Sequence, residues 1–236
     1  MPVVTISGQP GTAAHDIGRL TAERLGIDYV DQEILVQAAS TLGVPMESVV
    51  ALDERTASFG ERVATMLRRF LERSAAAGAS DPMLGTPGSL DVVLSRTYAE
   101  AAADESAEEL SDDRYIAALT GLVRDLASND NVVIIGRGSQ VILKDHPGVL
   151  HVLLVAPLQQ RIESLATREG LSKEDATRRE HEGARGRSAF HQKFFKIDVD
   201  RPALYHLVLN TARLTPIDIT ELIAAAVPRV AAKQHA

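Results

Sequence analysis

The sequence contains no cysteine and no Trp, and aromatic residues make up only 4% of its 236 positions. The absence of cysteine excludes a disulfide framework and any cysteine-ligated zinc or iron–sulfur site, and it is compatible with a reducing compartment. The first residues lack the basic start and extended apolar stretch of a signal peptide, and no apolar run approaches the roughly 18 residues of a membrane span. We therefore expect a cytoplasmic protein with no membrane partner.

Basic residues are not in excess either, because the formal net charge is −7. Residues 100–113 contain seven acidic residues and no basic one, and the remaining 25 acids equal the 25 Lys and Arg. The rest of the chain is therefore electrically balanced, and no nucleic-acid partner is expected. A run of like charge usually forms a solvated, mobile segment.

Short apolar runs alternate with stretches of helical apolar spacing. The runs typical of buried strands are residues 3–7, 27–30, 132–135, 150–155 and 206–210. Helical spacing covers residues 16–25, 116–126, 158–168, 172 onward and 216 onward. This alternation predicts one α/β domain over residues 1–236, built as a three-layer, doubly wound parallel sheet.

A helical insertion interrupts this alternation. Residues 59–71 show strong helical spacing, and a weaker helical segment follows near residues 90–99. We interpret residues 54–111 as a helical, partly mobile insertion. The apolar face of its first helix packs either on the core or on a second subunit, which leaves a homodimer open. That face carries Phe59, Met66 and Phe70.

The loop after the first predicted strand is where a doubly wound sheet binds anions, because backbone N–H groups and a helix N-terminus meet there. Here the loop reads Gly8-Gln9-Pro10-Gly11-Thr12-Ala13-Ala14-His15. Against the phosphate-loop pattern G-x-x-x-x-G-K-[ST], Gly8 fits the first position, Ala13 replaces the second Gly, and Ala14 replaces the Lys. The loop alone therefore favours phosphate binding only modestly over an ordinary turn.

Several short motifs, in matching order and spacing, resemble those of the cytidylate kinase-like family, which is of the P-loop nucleoside-monophosphate kinase type. Residues 5–18 resemble the family's T-I-S-R-Q-Y-G-S-G-G-R-E-I-G. Residues 25–35 resemble its L-G-I-P-Y-Y-D-K-E-L-I, and residues 133–138 its V-I-V-G-R-G. Val155-Ala156-Pro157 with Arg161, and residues 207–211, match its later strands. The resemblance covers most of the chain.

The resemblance implies a P-loop kinase fold, ATP as phosphoryl donor, Mg²⁺ as its companion ion, and a nucleoside monophosphate as acceptor. It places the nucleotide phosphates on Gly8, Gly11, Thr12, Ala13, Ala14 and His15. Thr12 is the one loop hydroxyl suited to Mg²⁺, an ion coordinated mainly by phosphates and water.

The loop departs from the family pattern at four positions. Gly8 stands where the family has Arg, Ala13-Ala14 where it has Gly-Gly, and His15 where it has Arg. These changes remove cations and add methyl groups. A His near phosphate would act as a donor, although a lone His at a helix start is more often a solvated surface residue.

Two further residues are candidates for binding the acceptor. Arg137 lies between two glycines directly after a buried strand, at the carboxyl edge of the predicted sheet, where its fork of donors suits a phosphate. The resemblance implies that Arg137 holds the acceptor monophosphate and that Asp31 lies in the wall of the same pocket. A structural Arg–carboxylate pair and a helix N-cap are the respective alternatives.

The most basic stretch lies within a lid-like segment over residues 172–200. Phosphoryl transfer depends on cations that meet the charge of the moving group, so a helix rich in arginines suits such an enzyme. Glu182 and Arg185 resemble the family's lid motif D-x-x-R, which makes Arg185 the first candidate for catalysis. Arg178 and Arg187 are further candidates on the same predicted helix. A solvated charged helix is the alternative for each of them.

Three functions remain in view. The leading hypothesis is phosphoryl transfer from ATP to a nucleoside monophosphate. The second is a catalytically impaired pseudokinase that acts through a protein partner, which the altered loop favours. A dinucleotide oxidoreductase is the weakest, because the first loop lacks G-x-G-x-x-G.

Overall fold

A computed structural model describes residues 2–31, 105–128 and 131–232 of the chain. The chain divides into two compact units. The first contains residues 1–31 and 129–236, and the second contains residues 32–128. Each unit is described by itself.

The first unit contains a sheet of five parallel strands in the order β2-β3-β1-β4-β5. The strands are β1 Val3–Gly8, β2 Asp28–Val30, β3 Val132–Ile135, β4 Val149–Val155 and β5 Leu207–Asn210. The two longest strands, β1 and β4, lie side by side, with Val3 opposite Val149 and Gly8 opposite Leu154. The predicted parallel α/β fold is therefore confirmed, and all five predicted strands are present.

The helices are α1 Ala14–Leu25, α2 Glu105–Ser128, α3 Ser139–Ile142, α4 Leu158–Glu169, α5 Lys173–Phe195 and α6 Pro216–Ala232. A short 3₁₀ turn, Pro202–Leu204, precedes β5. Local sequence sets several ends: Gly26 and Gly170 end α1 and α4 in the left-handed conformation, and the Ser172 hydroxyl caps α5 by accepting from the Asp175 amide.

The main core lies between one face of the sheet and the pair α1 and α6. Val4 and Ile6 of β1 are fully buried there, together with Ile17 of α1 and Ile219 and Ile223 of α6. Burying such a side chain contributes about 1.5–3 kcal/mol relative to exposure. The packing of α1 on the sheet holds the first turn of α1 close to the carboxyl end of β1.

The opposite face of β1 and β4 carries polar side chains. Thr5 and His151 pair across the two strands, with Thr5 Oγ1 2.7 Å from His151 Nδ1. The His151 ring also stacks on that of His206, with centroids 5.2 Å apart. Burial, together with the neighbouring His206, lowers the pKa of His151 to about 4, so a neutral imidazole is built into the sheet.

In the second unit the structure describes α2. Its apolar residues Leu119, Leu122, Val123 and Leu126 are buried, as the predicted helical spacing requires. The acidic run 100–113 enters this helix at Glu105, so α2 begins inside the interval 54–111 that the sequence assigns to an insertion. The predicted helices at 59–71 and 90–99, and the helix expected to follow Asp31, lie outside the described residues. None of the described helices has the length and apolar character needed to span a membrane.

Candidate functional site

The carboxyl ends of the five strands meet at one edge of the sheet, because all the strands are parallel. The loop after β1, Asp31 after β2 and Arg137 after β3 therefore lie along a single edge. In open α/β sheets ligands bind at this edge, where neighbouring strands lead to helices on opposite sides.

The loop between β1 and α1 is a tight turn against α4. Gly11 has a φ of +82°, and a Cβ at this position would overlap the carbonyl oxygen of Arg161. The amide and the hydroxyl of Thr12 both donate to the Gln9 carbonyl, at 3.1 and 2.7 Å. Glycine is thus required at position 11 both for its backbone angle and for the close approach of α4.

Ala13 precedes α1 in the left-handed conformation, with φ 56° and ψ 33°. A residue with a Cβ adopts these angles at a cost of about 1–2 kcal/mol. The N-cap residue Ala13 makes no side-chain hydrogen bond to α1, and the first amides of a helix have no partner within the helix. The N-terminus of α1, beginning at Ala14, therefore offers N–H donors and the positive end of the helix dipole to an anion.

His15, in the first turn of α1, reaches toward the end of β2. Its Nδ1 lies 3.3 Å from Asp31 Oδ2 and 3.2 Å from the Tyr29 hydroxyl, which itself donates to Asp31 Oδ2 at 2.9 Å. Asp31 is only 2% exposed, whereas His15 is 52% exposed. Burial and the Asp31 carboxylate raise the pKa of Tyr29, so the phenol stays protonated and donates.

Arg137 lies in a turn of three consecutive left-handed residues, Gly136, Arg137 and Gly138, with φ angles of 68°, 56° and 67°. Arg137 is one of four non-glycine residues with positive φ among the described residues. The Phe195 ring packs so closely on Gly138 that a Cβ there would overlap it. The turn is therefore fixed from the α5 side, and it starts α3 with the buried Ser139 and Gln140.

Helix α5 rests directly on the loop after β1. Gly183 comes so close to Pro10 that a Cβ at position 183 would lie 3.0 Å from the proline ring. A buried ion pair between Arg161 of α4 and Glu180 of α5 holds the two helices together, and Arg161 Nε also donates to the Ala156 carbonyl at 3.0 Å. The lid-like segment is thus packed against the phosphate-loop region.

Arg187 anchors the next turns of α5 to the sheet. Its Nη2 donates to Ser7 Oγ at 3.1 Å and its Nη1 to Asp200 Oδ1 at 2.6 Å, and the side chain is only 15% exposed. Gln9 approaches the same Asp200 carboxylate at 3.5 Å. Tyr205 lies beside this group, where burial raises its pKa.

The structure places the other predicted arginines of α5 differently. Arg178 donates to Asp175 on its own helix at 2.6 Å, and Arg185 Nε reaches the His181 carbonyl of its own helix at 3.4 Å. Both residues are exposed. Arg187 is therefore the one of the three that contacts the sheet, while roles for Arg178 and Arg185 in the reaction stay predictions.

The residues present suit an anion better than a metal bound by protein ligands alone. Thr12 is 1% exposed and its hydroxyl hydrogen points to the Gln9 carbonyl, which leaves lone pairs of the oxygen for a cation. Among the described residues no group of three His, Asp or Glu could hold a metal ion. An Mg²⁺ at this loop would therefore be held mainly by phosphate oxygens and water.

Several residues of this edge were not identified from the sequence. Gln9 bridges the loop to β4, because its Oε1 accepts from the Ala156 amide at 3.3 Å. Ser7 and Asp200 were missed because their common partner, Arg187, lies far from Ser7 along the chain. The repeated apolar–polar alternation of β1 is the one signal that could have placed Ser7 on the face opposite Ile6.

Comparison with known proteins gives a family and a fold. The sequence profile of the cytidylate kinase-like family matches residues 3–213. A cytidylate kinase of Methanopyrus kandleri is 26% identical over 226 residues, which cover 95% of this chain and 92% of that protein. A cytidylate kinase of Natronomonas pharaonis is 32% identical over 125 residues, which cover 52% of this chain and 64% of the relative.

This chain therefore spans only part of some relatives: it covers 64% of the Natronomonas protein and 53% of a cytidylate kinase of Pyrococcus horikoshii. Among solved structures, an uncharacterized protein from Eubacterium ventriosum superposes with a TM-score of 0.59 at 14% identity, over 97% of this chain and 98% of that chain. This similarity shows the fold alone.

Proposed function

Because the chain belongs to the cytidylate kinase-like family, we propose that it transfers the terminal phosphoryl group of ATP to a nucleoside monophosphate. CMP is the first acceptor to test, since the relatives from Methanopyrus and Natronomonas are named cytidylate kinases. The acceptor, the use of ATP with Mg²⁺ and a cytoplasmic location are all parts of this proposal.

The observation that carries the proposal is the backbone of the loop after β1. Ala13 takes a left-handed conformation of the kind that glycine adopts without strain, so its methyl group is accommodated in this turn. The N-cap residue Ala13 itself gives α1 no side-chain cap. A polyphosphate can therefore be bound by main-chain donors and the helix dipole, without a lysine in the loop.

Each candidate side chain has a defined task in this mechanism. ATP with Mg²⁺ would supply the transferable phosphoryl group, bound over Gly8, Gly11, Thr12, Ala13, Ala14 and His15. Arg137 binds and orients the acceptor phosphate from the turn after β3, with Asp31 at the wall of the same pocket. Arg187 fixes α5 over the loop, and Arg178 and Arg185 supply mobile positive charge at the exposed face of α5. Because phosphoryl transfer depends on positioning and charge, no general base is required.

The proposal is tested by titrating ATP calorimetrically with and without Mg²⁺, followed by coupled turnover assays with CMP, dCMP, UMP, AMP and GMP. Arg137→Gln is expected to raise the KM for the acceptor at least about 10-fold, because a charged hydrogen bond to phosphate is lost. Arg24→Gln is the matched control, since Arg24 pairs with Glu221 on the surface. Absence of both ATP binding and turnover would refute the kinase.

A pseudokinase is the second candidate, favoured by one observation. The residue at the lysine position is Ala14, whose methyl group lies against the end of β1, so the loop itself contributes no fixed cation. Such a protein would bind ATP without turnover and act through a protein partner. Tight binding with no product from any of the five monophosphates would select this candidate.

A further inference from the structure

A buried carboxylate lies next to the phosphate loop and accepts hydrogen bonds from a tyrosine hydroxyl and an exposed histidine. Asp31 is 2% exposed and accepts from the Tyr29 hydroxyl while its Oδ2 lies 3.3 Å from His15 Nδ1. An N-cap role for Asp31 does not explain the position of His15. The cluster formed by His15, Tyr29 and Asp31 is called the imidazole–carboxylate cluster below.

The hydrogen bonds of the cluster fix where the imidazole carries its proton. A carboxylate only accepts, and the Tyr29 hydrogen is already donated to Asp31. His15 Nδ1 must therefore be the N–H that faces both oxygens. Because Nδ1 is engaged inside the cluster, Nε2 is the ring atom left for a ligand.

The register of the sheet places this cluster beside the Arg137 turn. Val30 pairs with Ile134, so Asp31 is level with Ile135, the residue before Gly136. The following turn of α1 packs on the same strand, because Gly18 is in close contact with the Ile135 side chain. His15 thus lies between the phosphate loop and the end of β3, where donor and acceptor phosphates would meet.

We propose that His15 Nε2 shares a proton with a phosphate oxygen of the acceptor monophosphate, and that Asp31 and Tyr29 are positioning residues that hold the ring. This proposal rests on the proposed kinase function and assigns His15 to the acceptor rather than to ATP. One proton is bound between Nε2 and the phosphate oxygen, taken from solvent or from the monoanion of the acceptor. No covalent bond changes in this step.

The charges around the ring are compatible with such a shared proton. Asp31 supplies a negative charge at Nδ1, and Arg19 Cζ lies 5.7 Å from the centroid of the Tyr29 ring, so a positive charge also adjoins the cluster. Asp16, next to His15 on α1, is paired with Arg168 of α4 at 2.7 Å. The phosphate of a bound acceptor adds negative charge beside the His15 ring. One further proton, bound between Nε2 and a phosphate oxygen, neutralises part of that charge.

The test is steady-state kinetics from pH 6 to 9, with CMP and ATP varied separately. For the wild type, the KM for CMP is expected to rise with pH, because the shared proton is lost, while the KM for ATP changes little. His15→Gln is expected to raise the KM for CMP by about 10- to 100-fold at pH 6 and to reduce its pH dependence to that caused by the second ionisation of the CMP phosphate alone. Tyr29→Phe is expected to move the pH profile of the KM for CMP while kcat at saturating CMP is retained, and Asp31→Asn is expected to move the same profile.

His146→Gln serves as the control, since His146 lies in the connection before β4 and its ring bonds the adjacent Pro147 carbonyl. The imidazole signal of His15 in ¹⁵N NMR, followed on adding CMP, separates this inference from the kinase proposal. Turnover with an unchanged KM for CMP in His15→Gln, or a rise in the KM for ATP instead, overturns the inference alone. A His15 shift without turnover supports it and refutes the kinase; neither turnover nor a shift overturns both.

Discussion

Gly8 and Ala14 fill one space at the two ends of the phosphate loop. A Cβ at position 8 would lie 2.6 Å from Ala14 Cβ and 2.7 Å from Thr12 Oγ1. In the family pattern that the sequence resembles, residue 8 has a side chain and residue 14 has none, which is the reverse of the arrangement here. In this loop a side chain at position 8 and a methyl group at position 14 therefore compete for the same space.

This shared space predicts that the effects on stability of changes at positions 8 and 14 are coupled. Gly8→Ala alone is expected to destabilise the protein by about 1–3 kcal/mol through overpacking. The double variant, Gly8→Ala with Ala14→Gly, is expected to lose about 1 kcal/mol less stability than the sum of the losses in the two single variants. The reason is that one of the two close contacts, that with the Ala14 methyl group, is gone. Urea unfolding of the four proteins measures the coupling, and strict additivity would contradict it.

Ala13→Gly is expected to stabilise the protein by about 0.5–1 kcal/mol. Ala13 holds a left-handed backbone that costs a residue with a Cβ about 1–2 kcal/mol, and the greater freedom of glycine in the unfolded chain offsets part of the gain. Ala14→Gly is the matched control, because Ala14 starts an ordinary helix and its replacement is expected to destabilise by about 0.5–1 kcal/mol. Thermal unfolding shows whether each variant is more or less stable than the wild type.

The buried imidazole of His151 predicts a loss of stability in mild acid. Its folded-state pKa is about 4, below the ordinary 6.5, so the unfolded chain binds the extra proton first as pH falls. The contribution of neutral His151 to the free energy of unfolding is complete above pH 6.5. It is lost as the pH falls from 6.5 to 4, and the total loss is about 3 kcal/mol. Urea unfolding at several pH values measures the slope.

His151→Gln is expected to flatten that slope, since an amide can still pair with the Thr5 hydroxyl but does not titrate. His146→Gln should leave it unchanged, because His146 is not buried. An equal slope in the wild type and in His151→Gln would rule out His151 as its source.

Glu180→Gln is expected to destabilise the first unit by about 3–5 kcal/mol, because it leaves the Arg161 guanidinium without its buried partner. Glu182→Gln, on the exposed side of the same helix, should change stability by no more than about 0.5 kcal/mol. Comparable losses in the two variants would show that the ion pair does not hold α5 on α4.

Arg187→Lys and Arg185→Lys should separate anchoring from catalysis. A lysine cannot bind Ser7 and Asp200 through two nitrogens, so Arg187→Lys is expected to cost about 1–2 kcal/mol of stability. Arg185→Lys should leave stability unchanged and lower kcat if Arg185 meets the moving phosphoryl group. Calorimetric melting and turnover are measured on both, and a kcat loss confined to Arg187→Lys would transfer the catalytic role to that residue.

The strands were predictable because each is a short apolar run bounded by turn residues, and parallel pairing follows from burial of both faces. Helix α3 was not, because its four residues are too few to show a period. Lys196 ends α5 in the left-handed conformation without the glycine that signals such an end. The sequence did single out Arg137, yet it could not distinguish Arg187 from Arg185, because the partners Ser7 and Asp200 are brought together only by the tertiary fold.

The close packing of Gly183 on Pro10 couples the position of α5 to that of the loop after β1. Arg187, bound to Ser7 and Asp200, ties the next turn of α5 to the same edge of the sheet, and the exposed Ser188 is its neighbour. Since the natural sequence has neither cysteine nor Trp, Ser188→Cys would carry a single fluorophore with no background. Binding of a ligand at the loop after β1 would then be visible in real time, whether or not product is formed.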